Sequence, residues 1–222
     1  MSDVILQNFG SQPGLVANAT PHYYQAGHYG IESPSPGMTL ALIAQEERFN
    51  MEARRGKAAR LVASVHRAFG VAPVQAPLTV STGDVEFVGV GVSRWHVISR
   101  TQPSAEHHRK LREATDGLAS LVDVSHGFTT FQISGAFATQ ALAKLVRCDL
   151  DETSFPAGAC AATEAHGMSI QLRRRLRNDV YECAVARSFG SSLFHALVTA
   201  AEQFGIYVAE LPENARTNTN LP

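Results

Sequence analysis

The chain has 222 residues, of which 45% are hydrophobic and 18% charged, so it contains enough apolar side chains for a packed core. Its 19 basic and 20 acidic residues give a formal net charge of -1, which excludes a sequence-wide attraction for nucleic acid or anionic lipid. No apolar run reaches the length that a bilayer requires, and the N-terminus lacks the basic region of an export signal. We therefore expect a globular cytoplasmic protein with no nucleic-acid or membrane partner.

The two ends of the chain differ in composition from its middle. Residues 1–37 are rich in glycine and proline, which predicts an extended N-terminal arm. Residues 209–222 are mostly polar and lack an apolar anchor, which predicts a flexible tail. Between them, residues 38–208 are expected to form one domain.

The first half of this domain mixes strand and helix patterns. Residues 38–44 are a short apolar run, typical of a buried strand. Apolar residues recur at helical spacing over 51–69, and Gly70 predicts the end of that helix. Residues 85–92 and 95–99 predict a β-hairpin, and the polar stretch 104–118 predicts a second helix.

The second half repeats this alternation. Strands are predicted at 121–125 and 128–134, joined as a hairpin by His126 and Gly127, and a short helix is predicted at 137–146. Apolar and polar residues then alternate over 168–176 and return over 181–185, which predicts a hairpin with one apolar and one solvated face.

A last helix, 189–204, is expected to pack on this hairpin. The succession predicts an α+β fold with mostly antiparallel sheets, helices on one face and two related halves.

Candidate reactive residues are few and poorly arranged. The histidine pairs His22 with His28 and His107 with His108 do not have convincing metal-ligand spacing. The three cysteines, Cys148, Cys160 and Cys183, are expected to be reduced thiols. No glycine-rich nucleotide loop and no nucleophile motif is present, so Cys160 with His166 and Ser125 beside His126 are weak candidates. We assign no catalytic, cofactor-binding or metal-binding residue to this chain.

An ordered set of short segments points to a known family. Residues 122–135 read Val-Asp-Val-Ser-His-Gly-Phe-Thr-Thr-Phe-Gln-Ile-Ser-Gly. Further segments follow in register, at 141–144, 148–151, 155–158, 163, 187–189, 192–193 and 204–205. With this spacing, residues 85–205 resemble the gamma subunit of heterotetrameric sarcosine oxidases, whereas residues 20–30 show no match. That family is similar to the folate-binding fold of the aminomethyltransferases of glycine cleavage, so the resemblance implies the same α+β class.

The resemblance also implies partners and cofactors. In such complexes a beta subunit holds FAD and oxidises the N-methyl amine, and an alpha subunit provides an NAD site and a region that binds tetrahydrofolate. FMN lies between alpha and beta, and a delta subunit binds zinc. The complex converts sarcosine to glycine, with hydrogen peroxide and with formaldehyde or methylene-tetrahydrofolate as further products. The gamma subunit is implied to be a non-catalytic assembly subunit without a cofactor, packed mainly against the alpha subunit.

Five residues are candidates for the partner interface, because aromatic and arginine side chains dominate such contacts: Tyr23, Tyr24, Arg94, Trp95 and Arg187. Each has a simpler reading. Trp95 suits a core with Arg94 in its hairpin, Arg187 suits an internal ion pair as well as a carboxylate on a partner, and the two tyrosines suit a packed arm.

Two other functions remain open from the sequence. The chain fits the corresponding subunit of a related complex that oxidises another N-methyl amine, such as N-methylglutamate or dimethylglycine. It also fits a folate-binding one-carbon protein, although the aminomethyltransferases are longer.

Overall fold

The computed structural model describes residues 21–33, 35–44, 46–100, 105–176 and 180–211. Within these ranges, twelve strands form two sheets that lie face to face, and four α-helices pack on them. The larger sheet has, in spatial order, β1 (Gly27–Tyr29), β12 (Ile206–Val208), β2 (Met38–Leu42), β8 (Phe128–Ser134), β11 (Tyr181–Ala186), β10 (Met168–Arg174) and β9 (Cys160–Ala165). Strands β12 and β2 run parallel, and the other neighbours in this sheet are antiparallel.

The smaller sheet is wholly antiparallel over the same described ranges. Its spatial order is β4 (Thr79–Thr82), β5 (Val85–Gly91), β6 (Arg94–Ser99), β3 (Glu47–Ala53) and β7 (Ala119–Asp123). The α-helices are α1 (Ala58–Phe69), α2 (Ala105–Thr115), α3 (Ala138–Ala143) and α4 (Gly190–Ala201).

The outer face of each sheet is apolar and is covered by one pair of helices. On the smaller sheet, α1 and α2 bury a cluster that includes Met51, Leu61, Val65, Phe87, Trp95 and Leu111. On the larger sheet, α3 and α4 bury a cluster that includes Leu40, Phe131, Ile133, Leu142, Leu172, Cys183, Leu193 and Leu197. These two faces provide the main hydrophobic stabilisation, at roughly 25 cal/mol per Å² of apolar surface removed from water.

The inner faces of the two sheets pack against each other through few apolar side chains. Val88, Ile98 and Cys160 form a small apolar cluster there, with Val90 at its margin. Side chains alternate across a strand, so the residues between those of the outer cores point into this layer. Most of these are polar or charged, and they form the site described below.

Several expectations from the sequence are confirmed. The fold is α+β with mostly antiparallel sheets. The predicted strand at 38–44 is β2, the hairpin at 85–99 is β5 with β6, and the hairpin at 168–185 is β10 with β11. The four predicted helices correspond to α1, α2, α3 and α4, with shorter bounds.

Three expectations are wrong. Residues 121–125 and 128–134 are not one hairpin, because β7 belongs to the smaller sheet and β8 to the larger, and a 3-10 turn at Ser125–Gly127 carries the chain between them. The helix predicted over 51–69 begins at Ala58, because Met51 and Ala53 lie in β3 and Gly56, at φ 72°, turns the chain. The polar face of β10 and β11 is exposed at Ser169 but is covered at Arg173 and Glu182, where it meets the smaller sheet.

The predicted boundaries at residues 38 and 208 stay predictions. Residues 21–33 of the predicted arm add β1 to the edge of the larger sheet, and Tyr24 packs in its core. At the other end, the amide of Ala209 donates to the carbonyl oxygen of Leu40 at 2.8 Å. Residues 1–20 and 34 of the arm, residues 212–222 of the tail and residues 177–179 between the two strands of the predicted hairpin lie outside the described residues.

Candidate functional site: buried charges and an open cleft

A group of charged residues lies between the two sheets, and we call it the interlayer cluster. The smaller sheet and its flanking residues supply Glu46 and Arg48 from around β3, Glu86 from β5, and His96 and Arg100 from around β6. Strands β10 and β11 of the larger sheet, with the residue after β10, supply Arg173, Arg175 and Glu182. The cluster is thus made by two inner faces that meet.

The carboxylate of Glu182 is the centre of the cluster, with a side chain only 1% exposed. Arg100 Nη2 donates to its Oε2 at 2.7 Å, and Arg173 donates to the same oxygen from the facing position in β10. Arg173 also donates to Glu86 Oε2 at 3.1 Å, and Arg175 donates to the other oxygen of Glu86. Ion pairs between the sheets therefore link β5 to β10, and the residue after β6 to β11.

Arg48 makes a second set of contacts across the same layer. Its Nε donates to Glu46 Oε1 at 2.9 Å, and its Nη atoms donate to Gln171 Oε1 at 3.1 Å and Thr130 Oγ1 at 3.2 Å. The guanidinium carbon lies 4.6 Å from the centre of the Phe128 ring. A buried arginine with this many partners has a structural role, because removing Glu46 would leave its charge without the opposite charge beside it.

The protonation states in the cluster follow from its burial and its charges. Burial, and then the neighbouring Arg48, lower the pKa of His96 to about 4, so its imidazole is neutral at neutral pH. Burial alone would raise the pKa of Glu182, but Arg173 and Arg100 outweigh it and hold that pKa below its usual value. The glutamate is therefore ionised and the histidine neutral.

Three buried polar atoms of the cluster have no hydrogen-bond partner among the described residues: Glu46 Oε2, Glu182 Oε1 and Arg100 Nε. Each of the two carboxylate oxygens lies 3.6 Å from an arginine nitrogen of the cluster. The layer is filled by paired side chains, so its chemistry is that of a polar packing surface between the sheets.

The candidate nucleophiles of the sequence have structural contacts instead. The thiol of Cys160 donates to the carbonyl oxygen of Gly89 at 3.0 Å, and burial raises its pKa to about 11. A thiol with such a pKa is almost entirely protonated at neutral pH and is a poor nucleophile. The hydroxyl of Ser125 donates to Asp123 Oδ1 at 2.6 Å and accepts from the amide of Arg48 at 3.0 Å, which stabilises the turn between β7 and β8.

The histidine pairs make separate contacts. His108 Nε2 lies 2.8 Å from Glu47 Oε2, and His107 stacks on Phe69. His28 packs against Tyr207 with ring centres 4.9 Å apart. Across the described ranges, no group of three or more His, Cys, Asp or Glu residues is placed to hold a metal ion.

Two of the five predicted interface residues are buried inside the chain, which corrects the expectation that they face a partner. Trp95 is 0% exposed, and its indole Nε1 donates to the carbonyl oxygen of Val74 at 2.7 Å. Tyr24 donates to the carbonyl oxygen of Ala209 at 2.7 Å and accepts from the amide of Leu42. Their rings are packed in the hydrophobic cores, and their polar groups have hydrogen-bond partners within the chain.

The other three predicted residues lie at the surface, in two places. Arg94 is exposed in the β5–β6 hairpin, 3.5 Å from Glu52. Tyr23 and Arg187 meet in a cleft of about 190 Å³, which we call the Arg187 cleft. Its described lining consists of Pro21, Tyr23, Leu42, Ile43, Ala44, Phe128, Thr129, Arg187 and Leu211.

The cleft has a polar end and an apolar wall. Burial raises the pKa of Tyr23, and the neighbouring Thr129 hydroxyl and the charge of Arg187 oppose that shift. Gly190, the first residue of α4, lets the Tyr23 hydroxyl approach, because a Cβ at Gly190 would lie 2.4 Å from that oxygen. Sequence reasoning named Tyr23 and Arg187 but missed the lining from Leu42 to Ala44 and Phe128, which only the tertiary fold brings there.

The comparisons with known proteins agree with this architecture. The family model described as "Sarcosine oxidase, gamma subunit family" matches residues 55–203, more than half of the chain. A solved heterotetrameric sarcosine oxidase from Corynebacterium sp. U-96, in complex with pyrrole 2-carboxylate, contains a chain with 19% identity and a TM-score of 0.67. That match covers 81% of this chain and 90% of the other.

The glycine cleavage system aminomethyltransferase T from Bartonella henselae has the same fold at 11% identity and a TM-score of 0.59, over 78% of this chain and 48% of its own. No curated protein sequence matches the chain significantly. No helix in the described residues is long and apolar enough to span a bilayer. On the family match over residues 55–203, the chain belongs to the sarcosine oxidase gamma subunit family.

Proposed function

We propose that this gamma-family chain is the non-catalytic structural subunit of a heterotetrameric amine oxidase, assembled with alpha, beta and delta subunits and mainly in contact with alpha. The observation that carries the proposal is the family match over residues 55–203. The whole complex would oxidise sarcosine to glycine, with formaldehyde or methylene-tetrahydrofolate and hydrogen peroxide as further products. In this scheme FAD, FMN, NAD, zinc and tetrahydrofolate belong to the partner subunits, in the cytoplasm.

The inside of the chain supports a structural role. The layer between the sheets is filled by paired arginines and glutamates, with Arg48, Arg173 and Glu182 almost fully buried. The Arg187 cleft, at about 190 Å³, is also smaller than the roughly 300–1,000 Å³ of pockets for drug-sized ligands, which agrees with that role.

Coexpression with candidate alpha, beta and delta subunits tests this proposal. We expect the chain to elute in one complex with them on gel filtration, and the complex to be yellow from flavin while the isolated chain is colourless. Sarcosine-dependent oxygen uptake should be lost, or the complex should become unstable, when this chain is omitted. A chain that elutes alone in the presence of all three partners and binds a reduced folate would overturn the proposal.

The substrate of the complex is the second question. The fold match does not discriminate among N-methyl amines, and in this scheme the beta subunit selects the substrate. We propose sarcosine, with N-methylglutamate and dimethylglycine as the alternatives. Comparing kcat/KM of the purified complex for these three amines decides between them, because specificity is a ratio of kcat/KM values.

A further inference from the structure

We propose that the Arg187 cleft is a docking site for an acidic side chain and its apolar neighbours on a partner subunit, an inference that rests on the proposed assembly function. The cleft, at about 190 Å³, has room for one or two side chains. One end carries the Arg187 guanidinium with the hydroxyls of Tyr23 and Thr129. The lining also includes the apolar residues from Leu42 to Ala44.

The polar end matches a carboxylate in both charge and hydrogen bonding. A guanidinium carries five N–H donors in a fixed geometry, so Arg187 can bind a carboxylate in addition to its contacts within the chain. The hydroxyls of Tyr23 and Thr129 are hydrogen-bonded to each other, which leaves one O–H of the pair to donate, and an ionised carboxylate only accepts. Among the described residues that line the cleft, none is acidic.

The surroundings favour a polypeptide rather than a small carboxylate. Arg187 lies in the 3-10 turn Arg187–Phe189, and the side chain of Phe189 is 50% exposed at the end of that turn. Arginine, tyrosine and phenylalanine are enriched at the centres of protein interfaces, where apolar contacts exclude water around a charged pair. A small ligand inside the cleft would leave Phe189 exposed, whereas a partner segment crossing the turn would cover both residues.

The chain offers a matched pair of arginines for the test. Arg187→Glu reverses the charge at the cleft, and Arg147→Glu reverses a charge at another exposed site, where Arg147 lies 3.8 Å from Glu164. We expect Arg187→Glu to weaken association with the partner subunits by at least about tenfold, while Arg147→Glu changes it by less than about twofold. Affinities are measured by titration of the purified chain into the partner subunits, and thermal melts show whether each variant is folded.

Two further variants test the chemistry. Arg187→Gln keeps hydrogen-bonding groups but removes the charge, so it should weaken binding less than Arg187→Glu does. The affinity of Arg187→Gln for the partner subunits should also depend less on salt concentration than the affinity of the wild-type chain. Phe189→Ala should weaken binding through lost apolar contact alone, with the salt dependence unchanged.

The outcomes separate the two proposals. If the wild-type chain assembles and Arg187→Glu assembles equally well, the docking site is wrong and the assembly function stands. If the wild-type chain does not associate with any candidate subunit, both proposals are overturned.

Discussion

The two faces of the larger sheet are both buried, yet they are stabilised by different interactions. The outer face packs Ile170, Leu172 and Cys183 against helices, where each side chain contributes through the hydrophobic effect. The inner face, only one residue away along the same strands, packs Arg173 and Glu182 against charges of the smaller sheet. The outer face tolerates changes of shape at moderate cost, whereas the inner face depends on every charge having its partner.

The largest expected effect comes from removing the central carboxylate of the inner face. Glu182→Ala leaves the guanidinium groups of Arg173 and Arg100 without a common partner in a buried layer. We expect a loss of about 3–5 kcal/mol in the free energy of unfolding, as measured by urea denaturation.

The control for this variant is Glu164→Ala, since Glu164 lies 3.8 Å from Arg147 at an exposed site. An exposed pair contributes at most about 1 kcal/mol. If the two variants lost the same stability, the interlayer cluster would be no more important than a surface ion pair.

Acid should weaken the inner face before it affects the outer one. The pKa of His96 is about 4 in the folded chain against a usual 6.5, so the unfolded chain takes up a proton first as the pH falls. The contribution of His96 to the free energy of unfolding is complete above pH 6.5. It is lost as the pH falls from 6.5 to 4, and the total loss is about 3 kcal/mol.

Urea denaturation at four pH values between 7 and 4 measures this loss. In His96→Gln, which keeps a neutral polar side chain, the slope of stability against pH should be smaller by up to about 1.4 kcal/mol per pH unit in that range. An unchanged slope would mean that another group controls the acid response of the folded chain.

Gly190 lies where helix α4 meets the Arg187 cleft, and Gly190→Ala tests whether the close approach of Tyr23 requires a glycine there. The helical backbone at Gly190 accepts alanine, but the new Cβ would lie 2.4 Å from the Tyr23 hydroxyl and 3.0 Å from Thr129 Oγ1. We expect this overpacking to cost about 1–3 kcal/mol in urea denaturation.

The same substitution in a Tyr23→Phe background identifies the cause. Removing the hydroxyl removes the closest clash, so the two changes should be less than additive in this cycle. Full additivity would show that the Tyr23 oxygen is not what Gly190 accommodates.

The alternation of apolar and polar residues predicted where strands lie better than it predicted what covers each face of a strand. The order of apolar and polar residues in β10 identified both faces correctly, yet the polar face was expected to be solvated. Its partners, Arg48 and Glu86, come from the smaller sheet and lie far away in sequence, so no local pattern could place them. Burial of a polar face is decided by tertiary packing.

Short or polar strands were missed for a related reason. Strand β3 reads Glu-Arg-Phe-Asn-Met-Glu-Ala, and its end merges with the helical spacing that follows. Strands β1 and β12 have three residues each, too few for a pattern. Of the five candidate interface residues, Arg187 is exposed and Tyr23 half-buried, and their contact with a partner stays a prediction. The burial of Trp95 depended on which face of β6 packs against α1.

The smallest effect is expected on the outer face, from Ile170→Val. Ile170 is 1% exposed in β10, beside Gln171 of the inner face, and the change removes one methylene group without adding charge. We expect a loss of about 1 kcal/mol in the free energy of unfolding with an unchanged dependence on urea concentration, because the cavity is small and the neighbours are apolar.

Val122→Ala, at a residue 51% exposed in β7, is the control and should cost less than about 0.5 kcal/mol. A loss from Ile170→Val as large as that from Glu182→Ala would mean that the outer face is as intolerant of change as the inner one, and the contrast between the two faces would not hold.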